Sequence, residues 1–440
     1  MAEVKQSRNP WNFGKKGWGV AFVGIACWYF WQGPLYAGSN FWFTGLPQML
    51  GITDPGEAAG MVTSMALALT IGGVASVFST ALFGGLTKKF GTKQVIFIGM
   101  LLAALSDLVF AFGQSLITYQ ISAAVYFALC MSYSAIGVGQ LGADWFPRKK
   151  GVYMGIATVG MTATTATTPL LLSILVPSLG VMTTMLVHSG IQIVIAILIV
   201  SLIKNNPEEA GAYPDNDKNV TKEELQREFQ EMEEYRKNSP WTTGALLREP
   251  TTWKIGIGWG LSMMVIVGTV QQLVNILISF GYDLAFGVTL MAVTWPIGVF
   301  GHMLTGLVDY KIGPRYTSCV AMIFAIAGAI LLNLIASTSA IAAGGAGALF
   351  LVGATMITVE CPSVTTSAFG RRDFINAWPV VSTIYQLLTN VGVLVIASIA
   401  AAVGYVTDLW IMCGLMAVIC IIMLSVPKEQ VTTPQPKAQA

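Results

Sequence analysis

Twelve long, mainly apolar runs of residues limit the folds that this sequence can adopt. A helix needs about 20 apolar residues to cross a hydrocarbon layer of about 30 Å, and each run is close to or above that length. None shows the alternation of apolar and polar residues that barrel strands require. We therefore predict an all-α membrane protein with twelve transmembrane helices. The runs lie at residues 17–38, 58–86, 94–112, 117–143, 152–176, 181–203, 254–280, 285–308, 316–337, 340–367, 374–402 and 405–426.

Basic residues mark one side of the predicted membrane. All 24 lysines and arginines lie in the two tails, in the even-numbered connections or at the adjoining helix ends, whereas the odd-numbered connections contain acidic charges only. Because basic connections stay on the cytoplasmic side during insertion, we expect a multi-pass protein of the cytoplasmic (inner) membrane with both termini in the cytoplasm. Charged residues make up 10% of the chain, against about 25% in soluble proteins, and this excludes a soluble protein.

Related pairs of connections indicate an internal duplication. The connection GGLTKKFGTK, which starts at Gly84, and the connection GLVDYKIGPR, which starts at Gly306, each contain two glycines seven positions apart. Two helices further on, WFPRKKG from Trp145 resembles AFGRRDF from Ala368. The two pairs are separated by nearly the same number of residues. We therefore predict two pseudo-symmetric six-helix bundles.

The duplication divides the chain into predicted domains. In the connecting segment, Thr221 followed by Glu224 has the pattern of a capping box, which predicts a short amphipathic helix. A solvated tether without fixed contacts is the alternative interpretation. The predicted domains are an N-terminal six-helix bundle at 1–203, a cytoplasmic linker at 204–252, a C-terminal six-helix bundle at 253–427 and a disordered cytoplasmic tail at 428–440.

Twelve helices in two similar halves, with a glycine-containing basic turn after helices 2 and 8, resemble the major facilitator superfamily of secondary transporters. In that family the turn carries an aspartate four residues after its first glycine and helps to hold the two halves in one state. This sequence departs from the pattern, because Lys88 and Tyr310 occupy that position and Asp309 precedes it. The resemblance implies a conformational latch at Gly84, Gly91, Gly306, Asp309 and Gly313.

Three local segments resemble the oxalate/formate exchanger and monocarboxylate porter branch of this superfamily. They are DWFPRKKG after helix 4, NNPEEAGAYPDN after helix 6 and FGRRDF before helix 11. In that branch helix 8 typically carries an arginine that pairs with the substrate carboxylate, and His302 occupies its position. A lysine in helix 11 of the oxalate exchanger corresponds to Tyr385. The resemblance implies substrate binding by both residues, and a neutral His302 bonded to a neighbouring helix is the alternative.

Few ionisable residues interrupt the apolar runs, and charge is costly inside a membrane. Glu360 lies near the middle of the membrane in helix 10, where we predict a proton-coupling or substrate-contact role; a neutral acid bonded to nearby backbone is the alternative. His302 is a second candidate for proton coupling. Asp107 and His188 lie in helices 3 and 6, which the resemblance places at the periphery, so structural roles are favoured. Asp144 is expected to pair with the bases of the adjoining WFPRKKG turn.

Helix 1 contains the unusual aromatic segment CWYFWQGPLYAG. Trp28 and Trp31 are three residues apart and share a helix face, and Gly33 and Pro34 follow them and allow a bend. Together with Tyr36, the two tryptophans are suited to form an apolar wall for a carbon skeleton or a cage for a quaternary ammonium group. Packing against lipid or an interfacial belt is equally consistent with the pattern.

The remaining predicted cavity residues are neutral. Gln271 and Asn275 lie one turn apart in helix 7 and are suited to line a cavity, although hydrogen bonds between helices explain them equally well. No lysine or arginine lies deep within an apolar run. A dicarboxylate such as oxalate, which would need paired cations when stripped of water, is therefore disfavoured.

These features predict a secondary active transporter of a small, monocarboxylate-like organic acid, working by alternating access with proton coupling or exchange. A transporter of a cationic, zwitterionic or neutral solute and a non-transporting receptor are the alternatives. Nothing in the sequence resembles a phosphate-binding loop, a metal site or a nucleophile motif, so we expect no enzymatic activity, cofactor or metal. The expected partners are the small-molecule solute, the lipid bilayer and protons or a counter-solute, without nucleic acid, and we expect a monomer.

Overall fold

The computed structural model is helical throughout the residues that it describes, which are 10–217, 222–283, 286–287, 289–290, 295–358 and 360–432. Within these ranges, eight helical stretches are long and apolar enough to cross a membrane. Two of them, Lys150–Leu202 and Ala340–Gly392, contain 53 residues each. At about 1.5 Å per residue, a straight helix of that length is far longer than a bilayer is thick, so each stretch contains more than one span.

Glycines in left-handed conformations separate the spans within these two stretches. Gly180 has φ 79° and ψ 163°, and Gly370 has φ 76° and ψ 169°. Such positive φ values favour glycine, because a Cβ atom would strain the backbone. The sequence predicts separate helices on either side of both positions, and the two kinks agree with that prediction.

The helices are numbered in chain order, and a π-helix at Ser132–Val138 joins α6 to α7. The first half contains α1 (Gly14–Tyr29), α2 (Gly33–Ala37), α3 (Ser39–Met49), α4 (Pro55–Phe90), α5 (Thr92–Gly113), α6 (Leu116–Met131), α7 (Gly139–Trp145), α8 (Lys150–Ala157) and α9 (Val159–Leu202). The remainder contains α10 (Lys222–Lys237), α11 (Thr243–Arg248), α12 (Pro250–Ser279), α13 (Trp295–Ile312), α14 (Pro314–Ile335), α15 (Ala340–Ile357), α16 (Glu360–Val403) and α17 (Tyr405–Leu424).

The backbone repeats the predicted duplication. Helices α5 and α14 contain 22 residues each, and each begins directly after a glycine of the duplicated turn. These glycines have nearly the same conformation, with φ 88° at Gly91 and φ 84° at Gly313. The next helix in each half, α6 or α15, is capped by a serine side chain, Ser115 or Ser339. Helix length, turn geometry and capping therefore agree between the two halves.

Residues Phe22–Val138 and Ala157–Lys204 form one compact unit. Its apolar core includes Trp42 and Phe110, whose rings contact edge to face with centroids 5.1 Å apart. The indole nitrogen of the buried Trp42 donates to the carbonyl oxygen of Pro34 at 3.1 Å. This bond satisfies a polar atom that would otherwise be costly in a membrane protein, because hydrocarbon supplies no partner.

The described parts of Met1–Ala21, Gly139–Ile156 and Asn205–Ala440 form a second compact unit. Within it α12 packs along α16, and α14 packs along α15 and α17. One end of this unit carries the basic turns at Arg148–Lys150 and Arg371–Arg372, and we call it the basic end. The predicted domain boundaries stay predictions, and the contacts at the basic end group 139–156 with residues from the second half.

Helix α10 lies in the segment where the sequence predicts a linker helix. Met232 is buried, with an exposed fraction of 3%. Arg227 and Glu231 on the same helix are exposed, so the helix is amphipathic. The predicted capping residue Thr221 and the side chain of Glu224 lie outside the described residues.

Candidate functional site

His302 lies in α13 and is completely buried. Its ring Nδ1 is 3.5 Å from the Oγ1 of Thr358, in the connection between α15 and α16. Its other ring nitrogen, Nε2, has no hydrogen-bond partner among the residues that the structure describes. The imidazole therefore keeps one nitrogen that is available to a ligand or to a proton.

Glu360, at the start of α16, is also completely buried. Neither of its carboxylate oxygens has a hydrogen-bond partner in the described part of the chain. The charges that act on this carboxylate are those of Asp309 and Lys150. Ser363, one turn further along α16, donates a hydrogen bond to Oδ2 of Asp309 at 2.7 Å. The structure therefore brings Glu360 and Asp309, two of the predicted site residues, into one electrostatic cluster.

Asp309 connects α13 to the start of α8. Its buried carboxylate accepts hydrogen bonds from Ser363 and from the backbone N–H of Gly151, close to the charge of Lys150. A Cβ atom on Gly151 would lie 1.7 Å from Oδ2 of Asp309, so any larger residue there would displace the Asp309 side chain. These contacts suit the latch predicted for the second turn, and the latch role stays a prediction.

The first turn lacks such an acid at the matching position. The N–H of Gly91 donates to the carbonyl of Thr87, as the N–H of Gly313 donates to the carbonyl of Asp309. Thr87 is therefore the counterpart of Asp309, and its hydroxyl bonds within its own helix. Gly84 is buried in α4. Only the second of the two turns places a carboxylate at this position.

Glycines allow the backbones of α8 and α13 to meet. A Cβ atom on Gly155 would lie 2.4 Å from the carbonyl oxygen of His302, and one on Gly306 would lie 2.8 Å from the carbonyl oxygen of Gly151. Both distances are shorter than real Cβ contacts. The contact beside His302 is therefore made by backbone.

The aromatic residues of helix 1 form a cluster within the other unit. The rings of Trp28 and Trp31 contact edge to face at 5.5 Å, and Trp31 lies 6.4 Å from the ring of Phe127. Tyr36 stacks on the other side of this cluster, with its ring 4.6 Å from Phe127. The indole Nε1 atoms of both tryptophans are buried without a hydrogen-bond partner among the described residues. The cluster thus combines an apolar wall with two available donors.

Helix 1 breaks where the sequence predicts a bend. Helix α1 ends at Tyr29, and α2 begins at Gly33, which has φ 61°. The break leaves the carbonyl of Phe30 outside the helical pattern, and the hydroxyls of Tyr126 and Tyr133 lie 2.5 and 2.9 Å from this oxygen. The predicted bend indicates a free carbonyl, but nothing in the sequence indicates which tyrosines meet it.

The buried Asp107 pairs with the partly exposed His188. Nδ1 of His188 lies 3.2 Å from Oδ2 of Asp107, whose side chain is fully buried. The His188 ring also contacts Phe30 at 5.4 Å, beside the break in helix 1. Each residue is rare within an apolar run, yet their pairing is not visible in the sequence because 81 positions separate them.

The structure describes two of the other predicted substrate-binding side chains, Tyr385 and Asn275. Tyr385 is half-buried on α16, with its ring 6.2 Å from Trp378. Asn275 is exposed and donates to Oε1 of Gln272 at 2.8 Å. The side chain of Gln271 lies outside the described residues.

The expected pairing of Asp144 with the adjoining bases is wrong. Its carboxylate accepts hydrogen bonds from Gln140 at 2.7 Å and from Arg236 at 2.5 Å. Arg148 instead faces Asp217 at 3.5 Å, and Lys149 donates to backbone carbonyls. The adjoining turn directs its bases away from Asp144, so a residue of the linker takes their place.

The chain belongs to the Major Facilitator Superfamily, whose family model matches residues 34–372. Its fold is accordingly that of twelve transmembrane helices in two six-helix bundles, as the sequence predicts. Members of this superfamily are membrane transporters and not enzymes, so the chain works in a lipid bilayer on a small-molecule substrate. The oxalate/formate and monocarboxylate branch stays a hypothesis.

Solved structures agree with this fold. The proton:xylose symporter XylE bound to 6-bromo-6-deoxy-D-glucose superposes with a TM-score of 0.70 at 13% sequence identity, covering 93% of this chain and 94% of that one. The human organic anion transporter MFSD10 (TETRAN) gives a TM-score of 0.67 at 13% identity, covering 93% of this chain and 99% of that one. No curated protein matches the sequence. At such low identity these similarities define the fold alone.

Replacing Gly155 with alanine tests the backbone contact between α8 and α13. The added methyl group would meet the carbonyl of His302, and we expect the variant to lose about 1–3 kcal/mol of stability through overpacking. Thermal unfolding in detergent measures the effect. Gly190→Ala is the matched control, because nothing lies within 4 Å of its added methyl group. Equal unfolding temperatures for both variants would contradict the close contact.

Proposed function

We propose that this protein is a secondary active transporter of a small, monocarboxylate-like organic acid. It works as a monomer in the cytoplasmic (inner) membrane, with both termini in the cytoplasm and without enzymatic activity, and it couples transport to protons or to exchange of a counter-solute. The observation that carries this proposal is the buried carboxyl group of Glu360, which lacks a hydrogen-bond partner among the described residues. His302, with its available Nε2, supports it.

The surroundings of Glu360 suit a proton carrier. A buried carboxylate without hydrogen bonds is costly, and binding a proton removes that cost. The opposing charges of Asp309 and Lys150 act on the group, so a change in their positions alters how readily Glu360 takes up or releases a proton. A conformational change at the contact between α8 and α13 is thereby able to drive proton exchange.

The proposed substrate-binding residues suit an acid that travels with a proton. Among the described residues, Lys149 is the one buried lysine or arginine, and it lies in the turn before α8. Recognition within the spans therefore relies on neutral or titratable side chains, as it would for a monocarboxylic acid with a compensating proton. The proposed substrate-binding residues are His302, Tyr385, Trp28, Trp31, Tyr36, Gln271 and Asn275.

A cationic solute is the second candidate. The edge-to-face pair of Trp28 and Trp31 resembles two walls of an aromatic cage. Independently of that pair, an ionised Glu360 would supply a counter-charge for a cation. This alternative predicts transport of a quaternary ammonium ion such as choline. As a proton carrier, Glu360 must take up and release a proton during transport, whereas as a counter-charge it must stay ionised. The two roles therefore predict different pH dependences of transport, which transport assays distinguish.

Counterflow in proteoliposomes tests the substrate class. Vesicles loaded with unlabelled lactate or formate should accumulate the labelled acid transiently, because a carrier exchanges solute across the membrane. Choline and xylose should neither compete nor drive counterflow. Counterflow of choline would replace the acid proposal by the cationic alternative, and binding of solute without any counterflow would indicate a receptor. Empty vesicles are the control.

Substitution of Glu360 by glutamine tests the coupling. We expect uptake driven by a proton gradient to be lost while exchange of the acid is retained, because glutamine cannot release a proton. Uptake is measured over a range of pH in wild type and variant. Glu231→Gln is the control, since Glu231 is exposed on the linker helix. An unchanged pH dependence in Glu360→Gln would remove this residue from the coupling mechanism.

Substitution of His302 by arginine and by glutamine tests its role in recognition. Arginine supplies a permanent charge where histidine supplies at most a conditional one, so we expect His302→Arg to change the preference between monovalent and divalent acids. His302→Gln removes the titratable group and should weaken acid uptake. Competition by a panel of carboxylates measures both effects. If uptake and preference stay the same in both variants, His302 does not contact the substrate.

A further inference from the structure

The end of the linker helix α10 contacts both α7, directly before the segment WFPRKKG, and the related segment AFGRRDF in α16. Nη2 of Arg236 is 2.5 Å from Oδ1 of Asp144, in α7, and 3.3 Å from the carbonyl oxygen of Arg371, in α16. Its Nε donates to the carbonyl oxygen of Arg372 at 3.3 Å. The guanidinium is 10% exposed and the Asp144 side chain 3% exposed. One linker side chain therefore joins α7 to α16.

Neighbouring linker residues hold Arg236 in place. The hydroxyl of Tyr235 donates to Oδ2 of Asp373 at 2.9 Å, and the hydroxyl of Ser239 donates to Oδ1 of the same carboxylate at 2.6 Å. Two residues further on, Trp241 contacts the ring of Phe369 at 5.3 Å. These bonds attach the end of the linker helix to α16, and the bond to Asp144 attaches it to α7.

The contact that Arg236 spans is close. A Cβ atom on Gly139, at the start of α7, would lie 2.7 Å from Nε1 of Trp378 in α16. A movement that separates α7 from α16 at the basic end would have to break this contact. Arg236 cannot keep both its bond to Asp144 and its bonds to the carbonyls of α16 during such a movement.

We propose that Arg236 is a positioning residue of the transport cycle, which clamps α7 to α16 and releases Asp144 whenever the basic end opens. The clamp acts through helix positions and not through the substrate. It is therefore independent of which solute is carried.

Burial and charge make the bond between Arg236 and Asp144 stronger than an exposed ion pair on the same helix. Burial lowers the pKa of Arg236, but the carboxylates of Asp144 and Glu233 raise it, and the net shift is upward, so the guanidinium stays charged. Arg227, on the same helix, faces Glu231 at 3.8 Å with both side chains largely exposed. Exposed pairs of that kind contribute little. The chain thus offers a matched control for the clamp.

Distance measurements by electron paramagnetic resonance test the clamp. Spin labels are placed at the exposed residues Lys15 and Lys311, after replacement of the six cysteines by serine. In Arg236→Gln the population with long distances should rise about tenfold, the factor that follows from loss of one charge-assisted hydrogen bond. Arg227→Gln should match wild type. An Arg236→Gln distribution equal to that of Arg227→Gln would overturn the proposal.

A double-mutant cycle separates the clamp from a general effect on folding. Asp144→Asn should shift the distances in the same direction as Arg236→Gln, and it should add nothing in the Arg236→Gln background, because the bond that joins Arg236 to α7 is already lost there. Unfolding temperatures are measured in parallel, and Arg236→Lys replaces Arg236→Gln if the latter does not fold. Independent, additive shifts would overturn the proposal. The measurement needs no substrate, so failure of the proposed function leaves its outcome unaffected.

Discussion

The absence of water from the membrane core is the constraint on which this structure depends. Polar groups in hydrocarbon must find partners within the protein, and many do so locally. Where helix 1 breaks, the freed carbonyl of Phe30 meets two tyrosine hydroxyls, and the buried Asp107 meets His188. The oxygens of Glu360 and the Nε2 of His302 are among the buried polar atoms without a partner in the described part of the chain. The proposed function rests on these two residues.

The same constraint explains why the fold could be predicted from the sequence. A span must be long, apolar and helical, so the apolar runs define the helices almost by themselves. The duplicated turns end in glycines with matching positive φ at Gly91 and Gly313, and the bend predicted near Gly33 is present. Each of these features depends on residues close together in the chain, which is why local patterns were sufficient.

The candidate site was less predictable because its contacts join distant parts of the chain. Asp144 was expected to meet its basic neighbours, but its partner Arg236 lies 92 positions away. Likewise, the charges that act on Glu360 come from Asp309 and Lys150 on two other helices. The sequence identifies which residues are unusual for a membrane core. It does not identify the residue that each of them meets, because that depends on how the helices pack.

The glycine contact between α8 and α13 has a consequence for motion. Interlocked side chains must change rotamers to come apart, and re-forming such a contact costs conformational entropy each time. At Gly155 and Gly306 the facing atoms are backbone, so these surfaces can part and rejoin without any rearrangement of side chains. The interactions that break and re-form in each transport cycle are then the hydrogen bonds at the edge of this contact.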